Sequence, residues 1–391
     1  MNMSKLLIHN GKVLTITGKE YENGYIVCEN GKIVEIGDSY KGEFDGKVIN
    51  AQGNIVMPGF IDPHCHVGMF NDSLNFEGSD GNECTEPVTP QLRAIDGIYH
   101  NDRYFNEACM AGVTTVVTGP GSANVFGGQF AALKTHGSCV DDMILKAPVA
   151  MKAALGENPK TVYNASHKMP TTRMATASLM RQVLIEAKEY LEKKEKHEKD
   201  PEKNDLPSFD MKLEALVPVL KGELILKIHA HRADDIATAI RIKNEFNLNI
   251  TVDHCTEGYL VADLLKRNEM PVICGPIVSD RSKPELRNMI DENAKILCEK
   301  GLDVAIMTDH PVTPIKYLSF CAMVAHKAGL SREVALKAIT INAAKVNGID
   351  DRVGSLEVGK DADIIILSGD PLDFMTRVTT TIINGEVVFS A

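Results

Sequence analysis

Two histidines one residue apart, His64 and His66, follow the apolar run 55–61. Alternate residues of a strand point to one side, so these imidazoles face a common point. Neutral imidazole is a natural ligand for a divalent metal. Three further apolar runs end in the same kind of chemistry. Run 223–228 leads into His229-Ala230-His231, run 250–252 into Asp253-His254, and run 304–307 into Thr308-Asp309-His310. Any one of these could be a buried residue with an ordinary hydrogen bond. Four strand ends carrying imidazole or carboxylate in one array point to a shared metal centre.

Such a centre needs elements that deliver all four ends to one place. Between 57 and 348 the chain alternates short Val- and Ile-rich runs with helical patterns. The runs are 55–61, 114–118, 149–153, 223–228, 250–252, 272–274 and 304–307. They do not alternate polar with apolar, which is the habit of buried parallel strands. Met180, Val183, Leu184, Ala187 and Leu191 recur at helical spacing, as do Ile236, Ala239 and Ile240. The alternation predicts a (β/α)8 barrel or a doubly wound sheet. In a barrel the C-terminal strand ends form the active-site mouth.

Both chain ends differ from this middle. Short strand-like segments in 4–56 are separated by Asn10-Gly11, Asn23-Gly24 and Asn30-Gly31, and Asn384-Gly385 precedes 387–389. Asn-Gly between such segments predicts hairpin turns. The charged stretch 186–205 reads as a solvated helix end running into a loop at Pro201.

The 391 residues are 44% hydrophobic and 24% charged, an ordinary globular balance. The net charge of −11 argues against a nucleic-acid binder and against a polybasic membrane patch. Nine cysteines, odd in number and without a CxxC pair, fit a reducing compartment. No signal-peptide pattern opens the sequence and no run of membrane-spanning length occurs. The expectation is a soluble, cytoplasmic protein that acts on a small molecule.

The segment MPGFIDPHCH (57–66), with His229, His254 and Asp309, resembles the amidohydrolase superfamily. The ending GSLEVGKDADIIIL (354–367), with Gly354, Gly359, Asp361 and Asp363, resembles the part of these enzymes that completes a split β-domain. The resemblance implies an α/β fold: a distorted (β/α)8 TIM-type barrel over 57–348, and a small β-sandwich built from 1–56 and 349–391. It also implies one or two divalent metals, zinc foremost, at the strand C-termini. His64 and His66 match the first-strand ligands, His229 the fifth-strand ligand, His254 the sixth and Asp309 the eighth. His231 rivals His229. Lys152 in APVAMKAALGENPK (147–160) resembles the bridging lysine of isoaspartyl dipeptidase and its relatives, carboxylated by carbon dioxide. Val149, Ala150, Ala153 and Ala154 around it would lower a lysine pKa and favour the free amine that this addition needs. Glu157 is the alternative bridge.

The implied mechanism has the metals acidify a bound water and polarise the scissile carbonyl. Asp309 would take the proton and deliver it to the departing nitrogen. Segments 75–90 and 118–124 would contact substrate, as would His231. Arg173 could hold a substrate carboxylate, with Arg281 as a rival or either arginine simply on the surface. Cys65 and Cys255, next to ligands, read as packing residues. The activity expected is hydrolysis of an amide-type C–N bond in a cyclic amide, an N-acyl amino acid or a dipeptide. The isoaspartyl-dipeptidase-like and imidazolonepropionase-like members are the nearer ones. The alternative is a mononuclear aminohydrolase deaminating a heterocycle, whose members carry a glutamate three residues past the fifth-strand histidine; here Arg232 stands there. An inactive scaffold relative would have lost ligand positions, and here all are filled. Homo-oligomers are common in the superfamily, and one is expected here.

Overall fold

The computed structural model describes residues 5–71 and 74–391. Five strands open it: β1 (Lys5–Leu14), β2 (Glu20–Glu29), β3 (Lys32–Asp38), β4 (Lys47–Asn50) and β5 (Ile55–Pro58). Eight follow in the middle: β6 (Phe60–Cys65), β7 (Val113–Thr118), β8 (Phe126–Lys134), β9 (Ile144–Ala154), β10 (Ile225–Ala230), β11 (Ile250–His254), β12 (Val272–Cys274) and β13 (Val304–Ile306). Three close the chain: β14 (Ile364–Leu367), β15 (Val378–Ile383) and β16 (Glu386–Ser390).

The eight middle strands form one sheet in sequence order, β6 to β13. Its two edges are brought together at the top, where Asp309 N donates to His64 O at 3.3 Å and His66 N to His310 O at 2.9 Å. This is a nearly closed, TIM-like barrel. Two readings of the sequence are corrected. First, the run 55–61 is two strands. Residues 55–58 belong to the other sheet, and the barrel starts at Phe60. Gly59 is the joint. A Cβ there would lie 2.1 Å from Thr114 Oγ1, so only glycine lets the chain pass so close to β7. Second, β8 was not foreseen, because Gly127-Gly128 interrupts its apolar run. It lies antiparallel to both β7 and β9. That places its N-terminal end, 126–128, at the same mouth as the C-terminal ends of the other strands.

The other sheet joins both chain ends in the order β16-β15-β14-β5-β1-β2-β3, with β4 also on β1. Hydrogen bonding runs through all eight strands, which is one sheet where a sandwich of two was expected. Long β1 makes this possible: Leu6–His9 pairs β4, and Lys12–Val13 pairs β5. Of the four Asn-Gly pairs in the two chain ends, two are hairpin tips. Asn30 and Gly31 take φ of 50° and 77°, Asn384 and Gly385 49° and 77°, as a type I′ turn demands. The other two lie inside β1 and β2, where Gly11 and Gly24 face each other at a register shift. The charged stretch is, as read, the outer end of the long helix Arg173–Lys199.

Asp361 of the GSLEVGKDAD segment ties this sheet to the barrel. Its carboxylate, almost fully buried, accepts from Arg352 Nε and Nη2 at 2.9 Å each and from Lys32 Nζ at 2.6 Å. Lys134 Nζ, from β8, lies 3.0 Å away and also reaches Asp363. Burial alone would raise the Asp361 pKa, but these cations outweigh it and hold it at about 2. Its contribution is therefore complete above pH 4 and lost as pH falls toward 2. Asp361→Ala removes the carboxylate that Lys32, Lys134 and Arg352 share and leaves the buried Lys134 with Asp363 alone. We expect it to cost about 3–5 kcal/mol, read as a fall in the urea midpoint. By contrast Asp263→Ala, which breaks a solvated pair with Lys300, should leave the urea midpoint close to the wild-type value. Equal midpoints for the two variants would show that the buried cluster is not a joint.

Candidate metal centre

Five strand ends converge at the barrel mouth. From β6 and the turn after β13 come His64, His66 and Asp309, whose ligand atoms all lie within 4.8 Å of one another. Asp309 Oδ1 is 3.3 Å from His66 Nε2 and 3.7 Å from His64 Nε2. Each imidazole is held from behind. His64 Nδ1 is 2.5 Å from Asp253 Oδ2, and His66 Nδ1 is 2.7 Å from Gly119 O. A carboxylate and a carbonyl can only accept, so both Nδ1 atoms carry the proton and both Nε2 lone pairs face the group. Burial, reinforced by nearby Lys152, pushes the His64 pKa down to about 3, which keeps the imidazole neutral. Burial alone would raise the Asp309 pKa. Its bond to His66 and the charges around it prevail and hold it at about 2, so it is a carboxylate.

His229, His231 and His254 form a second group, again within 4.8 Å. They come from the ends of β10 and β11. His229 Nδ1 meets Ser122 Oγ at 2.9 Å, His231 Nδ1 meets Thr256 Oγ1 at 2.7 Å, and His254 Nδ1 meets Gly275 O at 3.0 Å. All three Nε2 atoms are buried with no hydrogen-bond partner among the described residues. A buried polar atom left unpaired costs roughly 1–3 kcal/mol, so three converging on one space mark a place for something that binds nitrogen lone pairs. His254, Cys255 and Asp309 have φ of 74°, 49° and 53°. Left-handed backbone at side-chain-bearing residues costs of order 1–3 kcal/mol each and collects at functional sites. It turns His254 out of simple strand alternation, so that Asp253 and His254 both serve the centre.

Lys152 stands at the end of β9, fully buried, with Nζ 3.2 Å from His64 Nε2. Burial lowers its pKa to about 8, although Asp253 and Asp309 pull the other way. A second buried lysine, Lys227, is its direct neighbour across β9 and β10. Lys227 Nζ lies 3.3 Å from Asp253 Oδ2 and donates to Asn347 Oδ1 at 3.3 Å. Thr251 Oγ1 donates to Asp253 Oδ1 at 2.7 Å. Asp253 is thereby kept ionised and aimed at His64. These donors fit a divalent metal: several imidazole nitrogens, one free carboxylate, and proton-bearing Nδ1 atoms fixed behind them.

Other candidates lie elsewhere. The Glu157 carboxylate does not join the imidazoles; its Oε2 accepts from Glu285 N at 3.3 Å. Arg173 is committed to Asp235, with Nε 3.1 and 3.0 Å from the two carboxylate oxygens. It sits at the start of its helix and faces the opposite charge on the neighbouring helix. Arg281 bonds Met289 O, and Arg232 pairs with solvent-facing Asp234. Cys65 and Cys255 are fully buried. Burial pushes the Cys255 thiol up to about 12 and Cys65 well above the usual range, so neither is a thiolate.

The segments read as substrate contacts do two jobs. Gly119 and Ser122 orient His66 and His229. Asn82 and Gly81 of the other segment bond to Ala123 N and Gly121 N. Beside them opens a cleft of about 1550 Å³, whose lining includes Asn82, Thr85, Pro120, Gly127, Gln129 and Phe209. Sequence reasoning missed Glu285, whose Oε1 is 3.6 Å from both His229 Nε2 and His231 Nε2. Only its place in the loop after the seventh barrel strand pointed that way.

The Amidohydrolase family model matches residues 55–388. An amidohydrolase crystal structure from Thermotoga maritima shares 38% identity, with a TM-score of 0.95 over 99% of this chain and 100% of that one. The imidazolonepropionase of Picrophilus torridus is 27% identical over 97% of each chain. The amidohydrolase tasK of Hapsidospora irregularis is 26% identical over 94% of this chain, which spans 40% of tasK's length.

Proposed function

The chain belongs to the amidohydrolase family, and on that premise we propose that it is a metal-dependent hydrolase of an amide-type C–N bond in a small molecule. The observation that carries this reading is the pair of buried imidazole groups beside one ionised carboxylate and one buried lysine. His64, His66 and Asp309 would hold one cation and His229 and His254 another, with Lys152 between them as a carbamate. Divalent cations so held supply an acidified water and a polarised carbonyl. Asp309 accepts the proton of the attacking water and passes it to the departing nitrogen, so that an amine leaves rather than an amide anion. Asp253 and Gly119 keep the first two imidazoles in one tautomer throughout. Loops 75–90 and 118–124 wall off the mouth and choose the substrate.

The full-length likeness to an imidazolonepropionase, by its name an enzyme of an imidazolone, supports a ring amide among the candidates. Arg232, paired outward with Asp234, leaves no glutamate at the position that deaminating relatives use. The test is chelation followed by restoration. Protein stripped of metal should hydrolyse none of a panel of cyclic amides, N-acyl amino acids and dipeptides. Adding zinc back should restore release of a carboxylate and an amine in equal amounts. Ammonia released only from aminated heterocycles would replace this reading with deamination. Turnover that ignores the chelator would end the metal-dependent reading.

A further inference from the structure

We infer that Glu285 and His231 complete the second metal position, giving it four protein donors of its own: His229, His231 and His254 through Nε2, and Glu285 through Oε1. This rests on the metal-dependent reading above and adds two residues to it.

Among the described residues, the Nε2 atoms of His229, His231 and His254 are buried with no partner, and Glu285 Oε1 beside them makes no hydrogen bond of good geometry, its one close cation being Lys283. Glu285 Oε1 is equidistant, at 3.6 Å, from His229 Nε2 and His231 Nε2. The His254 ring centroid is 4.3 Å from those of both other histidines. Glu285 is fully buried and cannot swing to water. Its orientation is fixed by a reciprocal pair of bonds with Glu157, which opens the helix after the fourth barrel strand. Glu157 N donates to Glu285 Oε2 at 3.0 Å, and Glu285 N donates to Glu157 Oε2 at 3.3 Å. One oxygen is thus spent on the backbone and the other is left facing the imidazoles. Gly156 makes the room: it has φ of 82°, and a Cβ there would lie 2.8 Å from Glu285 Oε2. Lys283 Nζ, 2.8 Å from the same Oε1 and bonded also to Asn158 Oδ1, balances its charge. A carboxylate oxygen has a second lone pair for a cation.

Three nitrogens and one oxygen select a borderline transition metal such as zinc or cobalt(II) over magnesium or calcium, which ask for oxygen. Because all four donors come from fixed side chains, this position does not depend on Lys152. His231 is then a ligand and not a substrate contact.

The test is a titration of the metal-free full chain with cobalt(II) and with zinc, each against a competing chelator, following visible absorption and metal per chain. Wild type should take two equivalents. Glu285→Gln keeps the shape but not the charge, and His231→Gln removes a ring nitrogen. Each should weaken one equivalent and change its cobalt spectrum, leaving the other unaltered. The weakening should exceed the ~10–100-fold typical of an outer hydrogen-bond partner, with Ser122→Ala as that comparator. Lys152→Met should keep this equivalent. Circular dichroism and thermal midpoints of the metal-free variants show that they fold. Glu285→Asp, which shortens the reach, is a second probe if glutamine does not fold. Two equivalents with unchanged affinity and spectrum in the Glu285 and His231 variants overturn the inference alone. A wild-type chain that takes no divalent metal overturns the metal-dependent reading and the inference with it.

Discussion

Asp309→Asn is expected to lower kcat by about 10²–10⁴-fold, the range for losing a positioned general acid–base. The asparagine oxygen can still face His64 and His66, so metal content should stay near the wild-type value while turnover collapses. The carboxylate is held at about 2 by His66 and the surrounding charges. A lowered pKa means that the basic form is present at every working pH above about 4. The loss should therefore be uniform from pH 6 to 9, rather than the displacement of one limb of a pH profile. Retention of more than a tenth of wild-type kcat, with metal bound, would remove Asp309 from the chemistry.

Lys152→Met carries the second large effect. Burial brings this amine to about 8. At pH 7.5 about a quarter of it is then uncharged, against about 0.1% for a lysine at 10.5. Only the uncharged amine adds carbon dioxide, so reconstitution of metal-free wild type should speed up with bicarbonate and with pH between 6.5 and 8. In Lys152→Met that dependence should vanish. Metal content should fall by no more than one equivalent, and kcat/KM by at least the ~100-fold upper end of outer-partner losses. Reconstitution indifferent to bicarbonate in the wild type, together with full activity in the variant, would discard the carbamate.

The imidazoles were legible because strand periodicity puts i and i+2 on one side, and because apolar runs ended in His, Asp or Lys at each point. Lys152 stood out through the resemblance of its segment to a bridging-lysine segment, with its apolar neighbours in support. What was not legible lay across the fold. Asp253 looked like the companion of His254, but it serves His64 on a strand 189 residues earlier. Gly119 and Ser122 looked like substrate loop, but they fix two histidines from behind. Glu285 sits in a loop with no periodicity to mark it. The Arg173 pairing with Asp235, on a helix 62 residues later, had no local signal either.

The sequence by itself determined the donor types, the strand ends that bear them and the family pattern, because these depend on local spacing and side-chain chemistry. Which donor side chains lie together, which nitrogen of each imidazole faces inward, and how the two sheets divide run 55–61 were decided only by tertiary structure. Those outcomes depend on contacts between residues far apart in the chain, where sheet register, buried charge pairing and a glycine's clearance set distances that no local pattern encodes.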